Sequence, residues 1–326
     1  MQRIPRSQAM NFTFDHRLEP ALYVELGESF AIETEDAPGG YLKDASDLLT
    51  PEHSPLRRRV PPLSNPTGGP VYVRGVERGD VLVVNVEKIE PAPQGVTYFG
   101  GSIGPLAQWT RWPELNELQT HIIQHRPGPS GTTRDGKAIV NHRLRWPLQP
   151  MIGTIGVAPD VEVLTTSMGQ GPWGGNLDCQ DIQEGAKVYL PCFHPGGLLF
   201  IGDVHGSQGN TEFYSNADET RAEVVVSCQV LKNRTIPFPR VETADSIIAL
   251  CCDIPLEEAV RGAIIYMMEW LIEEYGLTPQ EAYMLPSLHP EFRINIYQMV
   301  KSYSLRYTVG AQIPKKVLEG LEQVED

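Results

Sequence analysis

Two polar, glycine-rich stretches, 173–181 and 202–212, hold most of the side chains in this chain that can bind a cation, move a proton or grip an amide. The first reads W-G-G-N-L-D-C-Q-D and offers Asn176, Asp178 and Asp181. The second reads G-D-V-H-G-S-Q-G-N-T-E and offers Asp203, His205, Gln208, Asn210 and Glu212. Metal-assisted hydrolysis needs a few ligands, an open position and a nearby base. Asp178, Asp203 and His205 are the preferred ligands, with Asp36 and Asn176 as additions. An Asp/His set suits zinc, whereas a set made mostly of oxygens suits calcium or magnesium. If a metal is used, His205 is expected to ligate it through one ring nitrogen while the other donates to a carboxylate or backbone carbonyl that fixes its tautomer. Glu212 is the candidate general base, with Asp203 and His205 beside it, and Asp36 makes a weaker case for the same task. Asn176 and Gln208 can hydrogen-bond a substrate amide, and backbone N–H groups near Gly175 can hold an oxyanion. Against all this, Asp and Asn next to Gly are ordinary turn formers, and one such loop by itself reads as a turn.

Other motifs carry less. Residues 100–104, G-G-S-I-G, match a nucleophile elbow around Ser102, but Pro105 follows where a helix must start. Residues 169–174 match G-x-G-x-x-G, but no helix opens there and no βαβ unit surrounds it. Cys179 with His205 is the rival thiol arrangement, which requires a base able to form thiolate. A third reading is a non-catalytic sandwich that binds a small ligand or calcium through these loops. The remaining histidines, His125 and His142 among them, are isolated in sequence and read as packing or surface residues.

The elements that must position these groups are mostly strands. Period-two alternation or short apolar runs mark 11–16, 23–28, 30–34, 71–73, 81–89, 151–157, 187–190, 198–202, 223–231 and 293–300. Gly27, Gly79 and Gly185 each open such a run. Residues 37–70 and 91–150 read as loop-rich, the former carrying Arg57-Arg58-Arg59 as a solvated run or a carboxylate-binding lid. Apolar residues recur from Leu256 to Tyr275 at helical spacing, with a buried stripe expected at Val260, Ile264, Met267 and Leu271. Gly276 suits its C-cap, and Thr278-Pro279-Gln280-Glu281 is a capping box for a second helix limited by Pro286. The fold class is α+β, mainly β. The chain reads as a single unit, with Pro150 as the best boundary between lobes 1–150 and 151–326.

Composition narrows the partners. A formal charge of −14 over 326 residues argues against nucleic acid. No apolar run is long enough to span a bilayer, and residues 1–7 do not resemble a signal peptide, so a cytoplasmic protein is expected. Five scattered cysteines without C-x-x-C indicate neither a disulfide framework nor a thiolate zinc site.

The G-G-N-L-D and G-D-V-H-G-S-Q-G-N-T-E loops resemble those of the acetamidase/formamidase family. Met151–Pro159, Gly79–Val84 and Glu33–Ala37 extend the likeness over most of the chain. The resemblance implies a β-sandwich core with appended loops and a few C-terminal helices. It also implies hydrolysis of a small carboxamide to carboxylate and ammonia, with the amide substrate and further copies of the chain as partners. Asn210-Thr211 departs from the usual wording, where a second acid and a glycine are frequent, and this leaves the number of carboxylates at the site open.

Overall fold

A computed structural model describes residues 1–100, 111–163, 165–300 and 304–319. Ser102 therefore lies outside the described residues. The strands are β1 (Gln2–Ile4), β2 (Leu22–Val24), β3 (Phe30–Thr34), β4 (Thr67–Val73), β5 (Val81–Phe99), β6 (Gln119–Arg126), β7 (Lys137–Ile139), β8 (Arg145–Pro147) and β9 (Met151–Val157). After them come β10 (Gln170–Gly171), β11 (Gly174–Asn176), β12 (Lys187–Pro191), β13 (Leu199–His205), β14 (Glu219–Leu231), β15 (Arg240–Glu242) and β16 (Ser246–Asp253). Helices α1 (Leu256–Tyr275) and α2 (Pro279–Leu288) follow, then β17 (Arg293–Gln298), β18 (Tyr307–Pro314) and α3 (Lys315–Glu319). The fold is α+β and mainly β.

All these strands join one hydrogen-bonded network that curls over its own core. Pairing is antiparallel except for β1 with β3 and β2 with β4. Strands from both sides of Pro150 pair directly: β13 with β4, and β14 with both β3 and β5. Inside the curl, Val84, Ile152, Leu190, Leu199, Val224 and Ile248 belong to a single dry cluster. Gly27, Gly79 and Gly185 take φ of 78°, 86° and 90°, and a Cβ at each would meet nothing within 4 Å. Positive φ, not space, selects glycine at these three turns.

Several expectations need correction. Residues 11–16 form no strand; Asn11 makes a lone bridge to Thr67, and Phe14 packs under Phe200. The loop-rich region 91–150 is substantially β. Strand β5 runs on through Pro91 and Pro93, which its pairing with β14 and β6 accommodates beside register shifts. Asp203 and His205 lie on β13, not in a loop, because the apolar run continues through Val204 into the pairing with β9. Helix α2 continues past Pro286, and a further strand, β18, follows β17. Helix α1 has the expected bounds and a left-handed C-cap at Gly276, but its buried face is Ala259, Ala263, Met267, Trp270 and Leu271. Ile264 is only half-buried, since the small alanines let the helix approach β16 and β18 on their side. No helix among the described residues is long and apolar enough to cross a membrane.

Candidate active site

The hairpin-like approach of β9, β11 and β13 brings the two polar stretches together. Register pairs Thr154 with both Asn176 and Gly202, and β14 sets Glu219 opposite His205. Asp178, Asp203, His205, Glu212 and Glu219 thereby line one cavity of about 300 Å³. Gly153 makes room for them, since a Cβ there would lie 2.8 Å from Asp178 Oδ1 and 3.0 Å from Asp203 Oδ2. Asp178, Asp203 and Glu212 all hold left-handed backbone, with φ of 46°, 54° and 39°. Non-glycine residues seldom adopt it, and such strain clusters where function fixes geometry.

The orientation of His205 follows from its neighbours. Gln208 Nε2 donates to the carbonyls of Asp178 at 2.6 Å and Tyr297 at 3.0 Å, which fixes the amide. Its Oε1 then lies 2.9 Å from His205 Nδ1 and must accept that N–H. His205 Nε2 is left facing Asp203 Oδ1 at 3.6 Å and Glu219 Oε2 at 3.2 Å. Both of those oxygens are buried and lack a hydrogen-bond partner. Each carboxylate's other oxygen is committed. Asp203 Oδ2 accepts from Asn65 at 2.6 Å and Thr154 at 3.1 Å, and Glu219 Oε1 accepts from the Ala217 N–H at 3.0 Å. Two unsatisfied acceptors around one imidazole nitrogen form a place for a positive charge, either a proton or a cation.

The electrostatics agree. Burial opposes charge on His205, but the charges of Glu219 and Asp203 outweigh it and hold the imidazole well above its usual range. Burial and the neighbouring Asp203 raise Asp178; burial and Asp178 raise Glu212. Both carboxyls line the same cavity, each within reach of the other's charge. Like charges at such range share one proton instead of both ionising.

Asp178, Asp203, His205, Glu212 and Asn176 therefore meet in the cavity. Asn176 Oδ1 is taken by Asn65 and Thr154, and its Nδ2 donates to the Ser167 carbonyl. Gln208 is spent on orienting His205. Gly175 is structural, since a Cβ there would strike the Gly169 carbonyl. Asp36 stands apart, in a neighbouring pocket with Arg221. Asp181 is held by the Tyr297 hydroxyl, and Asn210 accepts from Gln180. Cys179 is fully buried in the main core with its thiol raised well above normal by burial, and it does not line this cavity. Arg57 reaches the cavity wall, while Arg58 is held by the Pro51 and Glu52 carbonyls. Residues 169–174 form the β10–β11 hairpin, with no helix to receive a dinucleotide.

Sequence reasoning missed Glu219, Asn65 and Thr154. It also missed a second cavity of about 720 Å³ that shares Glu212, Tyr214 and Asn216 with the first.

A buried acid–imidazole cluster at the floor of a small cavity, in a mainly β scaffold, is the equipment of a hydrolase. The acetamidase/formamidase family model matches residues 5–171 and 168–244, and the chain belongs to that family of amide hydrolases. Acetamidase from Mycolicibacterium smegmatis is 26% identical, with 83% of each chain covered. A Schizosaccharomyces pombe protein named as a formamidase is 27% identical over 255 residues, 64% of this chain, and the match spans 61% of that protein's length. The crystal structure of acetamidase from Bacillus halodurans superposes with a TM-score of 0.83 at 27% identity, covering 98% of this chain and 99% of that one.

Proposed function

We propose that this protein hydrolyses a small primary carboxamide, formamide- or acetamide-like, to the carboxylate and ammonia. One observation carries the reading: the two partnerless carboxylate oxygens of Asp203 and Glu219 that flank His205 Nε2 on the cavity floor. These residues fit a divalent ion. Asp178, Asp203 and His205 lie close enough to share one, as do His205, Glu212 and Glu219. His205, Asp203, Glu219 and Asp178 would hold it, and the mixed nitrogen and oxygen set suits zinc ahead of calcium or magnesium. When bound, such an ion supplies Lewis-acid polarisation of a carbonyl or a more acidic water.

The chain's own groups do the rest. Gln208 keeps the His205 proton on Nδ1. Glu212 takes the proton of the attacking water and returns it to the leaving nitrogen, a task suited to a carboxyl with raised proton affinity. Asp178 holds the shared proton while Glu212 is ionised, which keeps Glu212 able to act as the base. Asn176 contributes a remaining amide proton to the substrate carbonyl. The floor residues are buried, so their charges and dipoles act on the reacting amide with little screening.

The test is ammonia release from formamide, acetamide and longer amides by protein of known elemental content. Stoichiometric divalent metal with turnover is expected in the wild type, and His205→Ala should lose both. A metal-loaded protein that releases no ammonia from any of these amides would overturn the reading.

A further inference from the structure

Asp218 and Glu219 are consecutive and point to opposite faces, and each carboxylate meets a buried imidazole. Glu219 faces His205. Asp218 faces His125, whose Nε2 lies 3.1 Å and 3.0 Å from Asp218 Oδ1 and Oδ2. The other nitrogen, Nδ1, lies 2.7 Å from the Ala92 carbonyl, which can only accept. His125 is therefore an N–H donor at Nδ1, and a single proton sits between Nε2 and Asp218. The pair is neutral overall wherever that proton rests. Both side chains are buried, at 0% and 2% side-chain exposure.

The surroundings are cut to fit the pair. A Cβ on Gly95 would lie 1.9 Å from Asp218 Oδ1 and 2.9 Å from His125 Nε2. A Cβ on Gly206 would lie 2.6 Å from Asp218 Oδ2 and 3.0 Å from His125 Cε1. The backbone of Asp218 is tied to the segment after His205: the Gly206 N–H donates to the Asp218 carbonyl at 2.8 Å, and the Asp218 N–H donates to the Ser207 carbonyl at 3.1 Å. Gly206 and Ser207 connect His205 to Gln208, the residue that orients it.

We infer that His125 and Asp218 are a positioning pair for the reacting cluster. Anchored to β5 through Ala92 and to β6 through His125, the pair fixes the start of β14, and with it the approach of Glu219 to His205 Nε2. It does so without adding net charge beside four carboxylates already facing the cavity. A bare carboxylate or an isolated cation in its place would change that field as well as the geometry. The inference rests on the amidase reading for its kinetic readout but not for its structural one.

The experiment compares wild type with His125→Gln, Asp218→Asn and the double variant, in which the Gln and Asn amides can restore a neutral hydrogen bond. Two readouts are taken: kcat and KM for the best amide, and the ¹⁵N ring resonances of His205. The single variants should lower kcat by about tenfold or more with KM little changed, and should shift the His205 ring signals. The double variant should recover part of both. Unchanged kcat, or a loss with the His205 signals unmoved, overturns the inference. If no amide is turned over by the wild type yet the His205 signals move in the single variants, the amidase reading fails and the positioning role stands. Should the single variants not fold, the wild type decides. A proton on His125 that exchanges freely with water at either nitrogen overturns the pair.

Discussion

Glu212 and Asp178 are buried together, and backbone hydrogen bonds tie down the segments that carry them. Gln208 pins Asp178 through its carbonyl, and Thr211 is tied to Ile296 and Met299 of the β17 segment. Replacing Glu212 by Gln keeps the size and removes the carboxylate proposed as the base. Turnover should fall by roughly a hundredfold or more with the melting temperature nearly unchanged; near-normal turnover would take Glu212 out of the mechanism. Glu219→Gln should instead act on the cation site, removing one of two partnerless acceptors. Metal retained after dialysis, read by elemental analysis, should drop along with activity, and full retention would remove Glu219 from the ligand set. Four of the five clustered residues are legible in sequence because each sits in a glycine-rich stretch of unusual polarity. Glu219 is not, because only the β13–β14 register places it opposite His205. Asp36 has the right chemistry, but β3 carries it to Arg221 instead.

At the level of elements, local signals work where local physics decides. The bounds of α1, its left-handed Gly276 cap and the reciprocal Thr278–Glu281 capping box all follow from short-range patterns. The half of β5 beyond Glu90 does not, since its prolines and glycine argue against a strand and only pairing to β14 and β6 makes it one. Helix α1 shows the same limit in its packing. Spacing marks a face, yet Ala259 and Ala263 turn that face away from Ile264. Met267 is fully buried between α1 and the β16–β18 strands, so Met267→Asp should cost several kcal/mol in urea unfolding, the order expected for an unpaired buried carboxylate. Ile264→Asp should cost markedly less. Equal losses at the two positions would show the face to be assigned wrongly.

Across the whole molecule, proton uptake on folding links the acidic balance to stability. Burial and then the adjacent Glu35 raise the Asp36 carboxyl to about 7, while the Gly40 N–H and Arg221 hold it down. In the unfolded chain an Asp titrates near ~3.9. Between those values the folded state keeps a proton that the unfolded state has released, so stability falls as pH rises from about 4 to about 7 and then levels. Asp36→Asn should remove that slope and add on the order of a few kcal/mol at pH 8 relative to pH 4.5; denaturation curves whose pH dependence matches the wild type would show that Asp36 is ionised throughout. The left-handed backbone at Asp178, Asp203 and Glu212 reaches further. Each such residue holds a conformation that glycine adopts without penalty, at a cost of about 1–2 kcal/mol. A library selected only for heat resistance will therefore enrich glycine at these three codons, and its hardiest survivors will be inert. Selection for growth on an amide as nitrogen source will reject the same substitutions, so the two screens will pull this sequence in opposite directions at its most demanding positions.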